Sequence, residues 1–281
     1  MKRINSMLYI TIIPLFIFVA LFMFVPLFTM IFGSFQEDGV GAFTFNQYKE
    51  LFTNPYYWKA FENSILISLL SSFIGIIAAI FAAYALTRFP QRVQERLLVI
   101  TNLTSNFAGI PLAFAFIVLL GNSGLFTMLF RQFGIDMTAT FNLYSWSGLT
   151  IIYVYFQLPL AIMLLYPLYY AIQDNWKEAA SLLGASPFQF WKRIGLPVLL
   201  PGIAGTFSIL FANAMGAYAS AYALTGSNYN LVPVRIGALV SGDIFARPEL
   251  GSALGVLLGL TLLAAMLVNE WLTRKVRRDL P

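Results

Sequence analysis

The side chains that most often carry out catalysis are sparse in this sequence. It contains no histidine and no cysteine, so it lacks the commonest general base, the commonest metal ligand and any thiol nucleophile. No glycine-rich phosphate loop ending in Lys and Ser or Thr is present. Glu270 directly follows the last long apolar stretch, and its place at the end of that stretch predicts that it reaches water. This inventory disfavours an enzyme.

Six long stretches without a charged side chain dominate the chain, which is 59% hydrophobic and 10% charged. A helix needs about 20 apolar residues to cross the hydrocarbon core, and its backbone groups must be paired internally there. The six stretches are Met7–Phe32, Ser64–Thr87, Leu97–Leu120, Leu143–Ile172, Val198–Leu224 and Leu250–Asn269. They predict an all-α polytopic membrane protein with six transmembrane helices in a single domain, residues 1–281. We expect the first helix to bend at Pro14 and Pro26.

Basic residues are unevenly distributed between the connections. If the N-terminus is cytoplasmic, the cytoplasmic segments hold twelve of the 17 Lys and Arg residues and the outer segments hold five. This bias follows the positive-inside rule, and an even number of spans returns the chain to its starting side. The distribution therefore predicts cytoplasmic N- and C-termini. The net charge of +5 is accounted for in this way, and no nucleic-acid partner is expected.

The longest predicted cytoplasmic connection, residues 173–197, has the pattern of a helix, a break and a second helix. We expect either Asp174 or Asn175 to cap the first helix. Gly184 should end this helix with a positive φ. Ser186-Pro187 should begin the second helix, with Ser as the cap and Pro in the first turn. Leu196-Pro197 should then turn the chain into the fifth span.

This connection also carries a motif. Glu178-Ala179-Ala180 is followed by three residues, Gly184, nine further residues and Ile194-Gly195-Leu196-Pro197. It resembles the EAA loop of the inner-membrane permease subunits of type I, binding-protein-dependent ABC importers, and all seven fixed positions match. The loop also precedes the penultimate span, as in that family, and the resemblance runs from about Thr44 to the C-terminus. An amphipathic surface helix without a partner is the alternative.

The resemblance implies a transport subunit that does not itself hydrolyse ATP. In the family, the loop forms a coupling helix that docks on an ATPase subunit. ATP and Mg are bound on that partner, so no cofactor is expected on this chain. The implied coupling residues are Glu178, Ala179, Ala180, Leu182, Leu183, Gly184 and Phe188. The implied protein partners are two ABC ATPase subunits, a second, homologous permease in a heterodimer and an extracytoplasmic substrate-binding protein. The implied location is the lipid bilayer of the bacterial cytoplasmic (inner) membrane, which the chain crosses several times.

Polar residues within the spans are candidates for the solute pathway of such a subunit. They are Asn102, Asn106, Gln157, Asn213, Tyr218 and Tyr222. Residues 101–111 combine polar side chains with Gly and Pro, and a backbone break at membrane depth is tolerated only where protein or a cavity covers it. Hydrogen bonding between packed helices is the alternative role for Asn106 and Asn213. It is the favoured role for Ser68, Ser71 and Ser72.

The substrate is indicated only by likeness to one branch of the family. The segments 106–113 and 242–244 resemble the spermidine/putrescine permeases, which implies a small polar solute such as a polyamine. Ferric-iron, phosphonate and thiamine permeases are the close alternatives. The spans contain no acid to pair with a polycation and no base to favour an anion. From another class, a self-contained secondary transporter or channel is the alternative, although neither a coupling-ion site nor an internal repeat is evident.

Overall fold

A computed structural model describes residues 12–242 and 245–278, and this part of the chain is helical, with one isolated antiparallel bridge between Gln36 and Phe43. The helices, in chain order, are α1 (Ile12–Gly33), α2 (Asn46–Thr53), α3 (Pro55–Leu86), α4 (Gln91–Ser105), α5 (Ile110–Leu120), α6 (Leu125–Gln132), α7 (Met137–Thr140), α8 (Trp146–Leu165), α9 (Asp174–Leu182), α10 (Pro187–Phe190), α11 (Leu196–Met215), α12 (Tyr218–Thr225), α13 (Val232–Ser241) and α14 (Pro248–Arg278).

Six helical segments in this part of the chain are long and apolar enough to cross a membrane, which confirms the predicted fold class. They are Ile12–Gly33, Pro55–Leu86, Ile110–Gln132, Trp146–Ala171, Pro187–Met215 and Pro248–Lys275. Residues 7–11 of the first predicted stretch lie outside the described residues. Five of the segments overlap most of their predicted stretches. The cytoplasmic location of the termini stays a prediction.

The third span differs from its predicted position. The sequence predicted a helix over residues 97–120, but the structure interrupts it after Ser105 and begins α5 at Ile110. Gly109 has a φ of +75°, which side-chain-bearing residues rarely adopt, and Pro111 lies in the first turn of α5, where its missing N–H costs nothing. The third span therefore runs through α5 and α6, ending at Gln132.

Two spans contain a wide π-helical turn just before a proline. Ala20–Phe24 precedes Pro26 in α1, and Trp191–Gly195 precedes Pro197 in α11. Proline has no N–H to donate to the preceding turn, and a π turn is one way in which a helix absorbs that loss. The π turn in α1 lies next to one of the two predicted bends.

The contacts divide the described chain into two compact units. One unit draws on residues 12–59, 235–242 and 245–260. Within it, the end of α1 packs against α14 at glycine positions: a Cβ on Gly33 would lie 3.5 Å from Ser252 Oγ, and one on Gly255 would lie 3.0 Å from Met30 Sδ. Small residues at these positions let the two helices approach closely.

The other unit draws on residues 60–234 and 261–278, and α8 lies at its centre. Tyr153 anchors one buried apolar cluster, together with Leu112 of α5 and Ala221 of α12. Leu165 anchors a second cluster with Ala79 of α3 and Leu210 of α11. Of the membrane-spanning segments that the structure describes, the one containing α8 is the most buried. The connection to the next span follows directly from this segment.

Candidate functional site

The connection between α8 and α11 folds as the predicted helix, stop and second helix. α8 continues into a 3₁₀ turn, Tyr166–Ala171, and α9 then spans Asp174–Leu182. The predicted cap is wrong, because Gln173 occupies the cap position and makes no side-chain hydrogen bond. Asp174 lies in the first turn instead, where a carboxylate is favoured by the helix dipole. Lys177 Nζ donates to its Oδ1 at 2.7 Å, and this hydrogen bond lowers the pKa of Asp174.

The stop at Gly184 is confirmed. Its φ is +76°, and the Ala185 N–H donates to the Ala180 carbonyl at 2.9 Å while the Gly184 N–H donates to the Ser181 carbonyl at 3.0 Å. These bonds satisfy carbonyl groups at the end of α9. A Cβ at Gly184 would meet nothing within 4 Å. Glycine is therefore favoured here by the backbone conformation, not by lack of space.

The start of α10 is confirmed as well, with one part that the sequence reading missed. Ser186 Oγ accepts from the Gln189 N–H at 3.3 Å, and Gln189 Oε1 accepts from the Ser186 N–H at 2.8 Å. This reciprocal pair is a capping box, and its spacing of Ser and Gln three residues apart was a usable signal. The predicted turn at Leu196-Pro197 is wrong, because the helix continues through the π turn 191–195 into α11.

The connection is held by two buried side chains and exposes three large apolar ones. Ala180 and Phe190 are buried in the cluster around Leu165. In contrast, Leu182 is 87% exposed, Leu183 is 88% exposed and Phe188 is 75% exposed. Glu178, Ala179 and Gly184 are exposed too. The coupling residues predicted from the motif thus lie together on one anchored segment, except that Ala180 faces the protein interior.

An apolar groove of about 1310 Å³ runs beside α9. Its lining includes Ala179, Ala180, Leu183 and Gly184 of the predicted coupling set, with Trp176 and Phe190 beside them. We call the three exposed side chains Leu182, Leu183 and Phe188 the exposed apolar tip. Leu183 therefore belongs both to this tip and to the groove. An exposed apolar surface of this kind marks an interaction site more often than a free surface.

The pathway candidates do not form one group. Gln157 is fully buried in α8, where its Nε2 donates to Ser71 Oγ and its Oε1 accepts from Ser72 Oγ, both at 3.0 Å. These bonds join α8 to α3 and give Gln157 the packing role that had been expected of the serines. The other five candidates are exposed: Asn102, Asn106, Asn213, Tyr218 and Tyr222.

Two of the exposed candidates form a pair. The rings of Tyr218 and Tyr222 stack with centroids 5.3 Å apart, and each side chain is 39% exposed.

Two further candidates lie at the break between α4 and α5, where Asn106 Nδ2 donates to the Asn102 carbonyl at 2.9 Å. Within residues 12–242 and 245–278, no group of three or more acidic side chains is placed to hold a metal ion.

Comparison with known families decides the class of this chain. The sequence model described as "Binding-protein-dependent transport system inner membrane component" matches residues 71–278, well over half of the chain. The chain belongs to this family. It is a permease subunit of an ABC importer and a multi-pass protein of the bacterial inner membrane. The match begins later than the resemblance that was predicted to start near Thr44.

Several relatives of this permease are transport permeases named for different substrates. The spermidine/putrescine permease PotB of Haemophilus influenzae is 27% identical, over 99% of this permease and 100% of the relative. The sulfate permease CysT of Salmonella typhimurium is 24% identical, over 93% and 91%. The trehalose permease SugB of Mycobacterium tuberculosis is 26% identical, over 76% and 72%. The polyamine branch is thus one among several.

Solved structures share the fold of the permease. A bacterial ABC transporter involved in the import of the acidic polysaccharide alginate aligns over 98% of this permease and 96% of that chain, with a TM-score of 0.76 and 19% identity. The methionine ABC transporter MetNI aligns over 80% of this permease and 99% of that chain, with a TM-score of 0.59 and 19% identity. The alginate transporter was also solved in complex with an alginate-bound periplasmic protein.

Proposed function

We propose that residues 173–197 couple this permease to separate ATPase subunits, and that it forms half of a translocation pathway with a second, homologous permease. The observation that carries the proposal is the exposure of Leu182, Leu183 and Phe188 on a segment anchored by Ala180 and Phe190. Large apolar side chains on a helix that enters a groove are typical binding anchors. ATP and Mg are bound and used on the partner, and an extracytoplasmic binding protein delivers the solute.

The contacts around α9 provide a route for its displacement to reach the spans. The hydroxyls of Tyr166 and Tyr170, in the 3₁₀ turn before α9, both donate to Gln94 Oε1 of α4, at 2.5 and 3.0 Å. Tyr169 donates to the Ile80 carbonyl of α3 at 2.7 Å. A partner that pulls on α9 therefore acts on α3, α4 and α8 together, which is what a rigid-body change between inward-open and outward-open states requires.

A cross-linking experiment tests the coupling proposal. Because the chain has no cysteine, a Leu182→Cys variant carries a single thiol. We expect a thiol-to-amine cross-linker to join this variant, in native membrane vesicles, to a protein that peptide sequencing identifies as an ABC ATPase. The matched control is Phe133→Cys, since Phe133 is 74% exposed on another connection and should give no such adduct. Failure of Leu182→Cys to capture an ATPase, or solute uptake by vesicles that lack one, contradicts the proposal; the second result favours a self-contained carrier.

For the substrate, we propose a polyamine. The stacked rings of Tyr218 and Tyr222 offer aromatic faces, which attract ammonium groups, and PotB, a spermidine/putrescine permease, aligns over the full length. Sulfate is the second candidate, supported by the long alignment with CysT. Trehalose follows from SugB. Ferric iron follows from the ferric transport permease FbpB 1 of Haemophilus influenzae, which is 28% identical over 80% of this chain but over only 35% of that relative. Phosphonate and thiamine stay alternatives from the sequence.

The role of the tyrosine pair is tested by two substitutions at one position. Tyr222→Leu removes an aromatic face and should lower spermidine uptake about fivefold at limiting concentration, which corresponds to about 1 kcal/mol. Tyr222→Phe keeps the ring and should transport as well as the wild type. Uptake of labelled spermidine, putrescine and sulfate by the reconstituted importer is the measurement. Saturable uptake of sulfate alone contradicts the polyamine proposal. Equal loss of spermidine uptake in both variants contradicts the role of the aromatic ring.

A further inference from the structure

A polar pocket of about 340 Å³ lies where the end of α3 meets the start of α9, apart from the exposed apolar tip. It is lined by two cations, Arg88 and Lys177, one acid, Asp174, and aromatic side chains that include Tyr84, Tyr170 and Trp191. The proposed coupling function makes no use of it. Its cations outnumber its acid by one, so the lining carries a net positive charge.

Arg88 is the cation best placed for a ligand. Its Cζ lies 4.9 Å from the centroid of the Tyr84 ring, and Nη2 donates to the Tyr84 hydroxyl. Among the residues that the structure describes, none forms an ion pair with this guanidinium. The tyrosine orients Arg88 without neutralising it, and the remaining N–H groups can form the paired hydrogen bonds that guanidinium makes with phosphate.

Lys177 and Asp174 supply the second cation and its counter-charge. Their ion pair measures 2.7 Å, with the lysine side chain 35% exposed and the aspartate side chain 88% exposed. An ion pair so open to water is worth little, so an incoming anion can share the ammonium group at small cost. The negative charge of Asp174 repels an anion. Removing that charge should therefore strengthen anion binding, which provides a test.

The position of the pocket indicates the source of the anion. The apolar helix α3 ends at Leu86, two residues before Arg88. Tyrosine and tryptophan side chains such as those in the lining collect at the level of the lipid headgroups. Basic pockets between membrane-spanning helices bind anionic headgroups in this layer. A free phosphate ion offers the same chemistry but gains nothing from the aromatic walls.

We propose that this pocket binds a phosphate group, and that its carrier is the headgroup of an anionic phospholipid. Bound there, the headgroup contacts the turn that follows α3 through Arg88 and contacts α9 through Lys177. It thereby fixes the start of α9 at the surface of the membrane.

Native mass spectrometry of the intact chain, released from nanodiscs of equal phosphatidylglycerol and phosphatidylcholine, tests the proposal. We expect the wild type to retain phosphatidylglycerol preferentially. Arg88→Gln and Lys177→Gln should each lower this retention about fivefold, whereas Asp174→Asn should raise it. Arg92→Gln is the matched control, because it removes the same charge from an exposed position outside the pocket, and it should change nothing.

Opposite changes in phosphatidylglycerol retention for Arg88→Gln and Asp174→Asn support the proposal. They also exclude unfolding as the cause, because unfolding would lower retention in both variants. Equal retention of the two lipids by the wild type overturns the proposal. Equal losses of phosphatidylglycerol retention in Arg88→Gln and Arg92→Gln overturn it too. If inorganic phosphate stabilises the chain in pure phosphatidylcholine nanodiscs and phosphatidylglycerol adds nothing, the lipid assignment is wrong. None of these measurements depends on coupling to an ATPase.

Discussion

Replacing both Leu182 and Leu183 with alanine should lower ATP-driven uptake by the reconstituted importer at least about thirtyfold. Buried anchors at an interface contribute about 2 kcal/mol or more each, and 2 kcal/mol corresponds to roughly thirtyfold. The same change should leave the free energy of unfolding within about 0.5 kcal/mol, as is usual for surface positions. The reason is that these side chains are 87% and 88% exposed and pack against little in the chain itself.

The measurement therefore has two readouts, uptake with ATPase stimulation and thermal unfolding of the chain. Phe133→Ala is the control, since Phe133 is 74% exposed but lies outside the proposed coupling segment, residues 173–197. It should leave both readouts unchanged. Full uptake in the Leu182→Ala, Leu183→Ala variant would show that the exposed tip is not an anchor. A large loss of stability would show that the tip packs within the chain.

The number of spans was predictable because it depends on length and composition. A run of about 20 residues without charge has one stable solution in lipid, a helix with its backbone paired internally. The limits of the third span were not predictable in this way. The break before α5 is stabilised by a hydrogen bond from the Gly109 N–H to Ser220 Oγ at 3.0 Å. That bond joins residues 111 apart in sequence, and no local pattern reports it.

The candidate site shows the same division between local and distant causes. The stop at Gly184 and the start at Ser186 follow from backbone conformation and capping, so local sequence was sufficient. The roles of Gln157 and Asn213 were not separable, because both are polar residues in apolar runs. Only the packed structure shows that Gln157 lies between α8 and α3, bonded to Ser71 and Ser72, whereas Asn213 is exposed.

An ionic cluster around Arg247 was missed altogether, and its partners are about 200 residues away in sequence. Nη1 and Nη2 of Arg247 donate to the two carboxylate oxygens of Glu50, each at 2.8 Å, and Nε donates to Asp38 Oδ2 at 2.6 Å. Gln47 Nε2 donates to the other oxygen of Asp38 at 2.9 Å. The hydrogen bond to Glu50 and that to Asp38 raise the pKa of Arg247 against a desolvation penalty. The cluster joins the residues before α14 to α2 and the turn that precedes it.

Arg247→Gln should therefore lower the free energy of unfolding by about 2 kcal/mol. Hydrogen bonds to charged groups contribute about 1.5–3 kcal/mol, and the lower part of that range applies because the three side chains are 31–34% exposed and solvent screens them. The loss also leaves the carboxylates of Asp38 and Glu50 without the cation that they share. Arg247→Lys keeps the charge but not the two-pronged contact with Glu50, so its loss should be roughly half as large.

Arg131→Gln is the matched comparison, because Arg131 also faces an acid, Asp136. Their closest atoms are 4.0 Å apart and the side chains are 63% and 56% exposed, so this change should leave the free energy of unfolding almost unchanged. Thermal unfolding of the three variants in one detergent provides the ranking. Equal values for Arg247→Gln and Arg131→Gln would mean that solvent screens the Arg247 cluster as fully as an open surface pair. A larger loss in Arg247→Lys than in Arg247→Gln would show that the desolvation of a cation, not the contact with Glu50, dominates at this position.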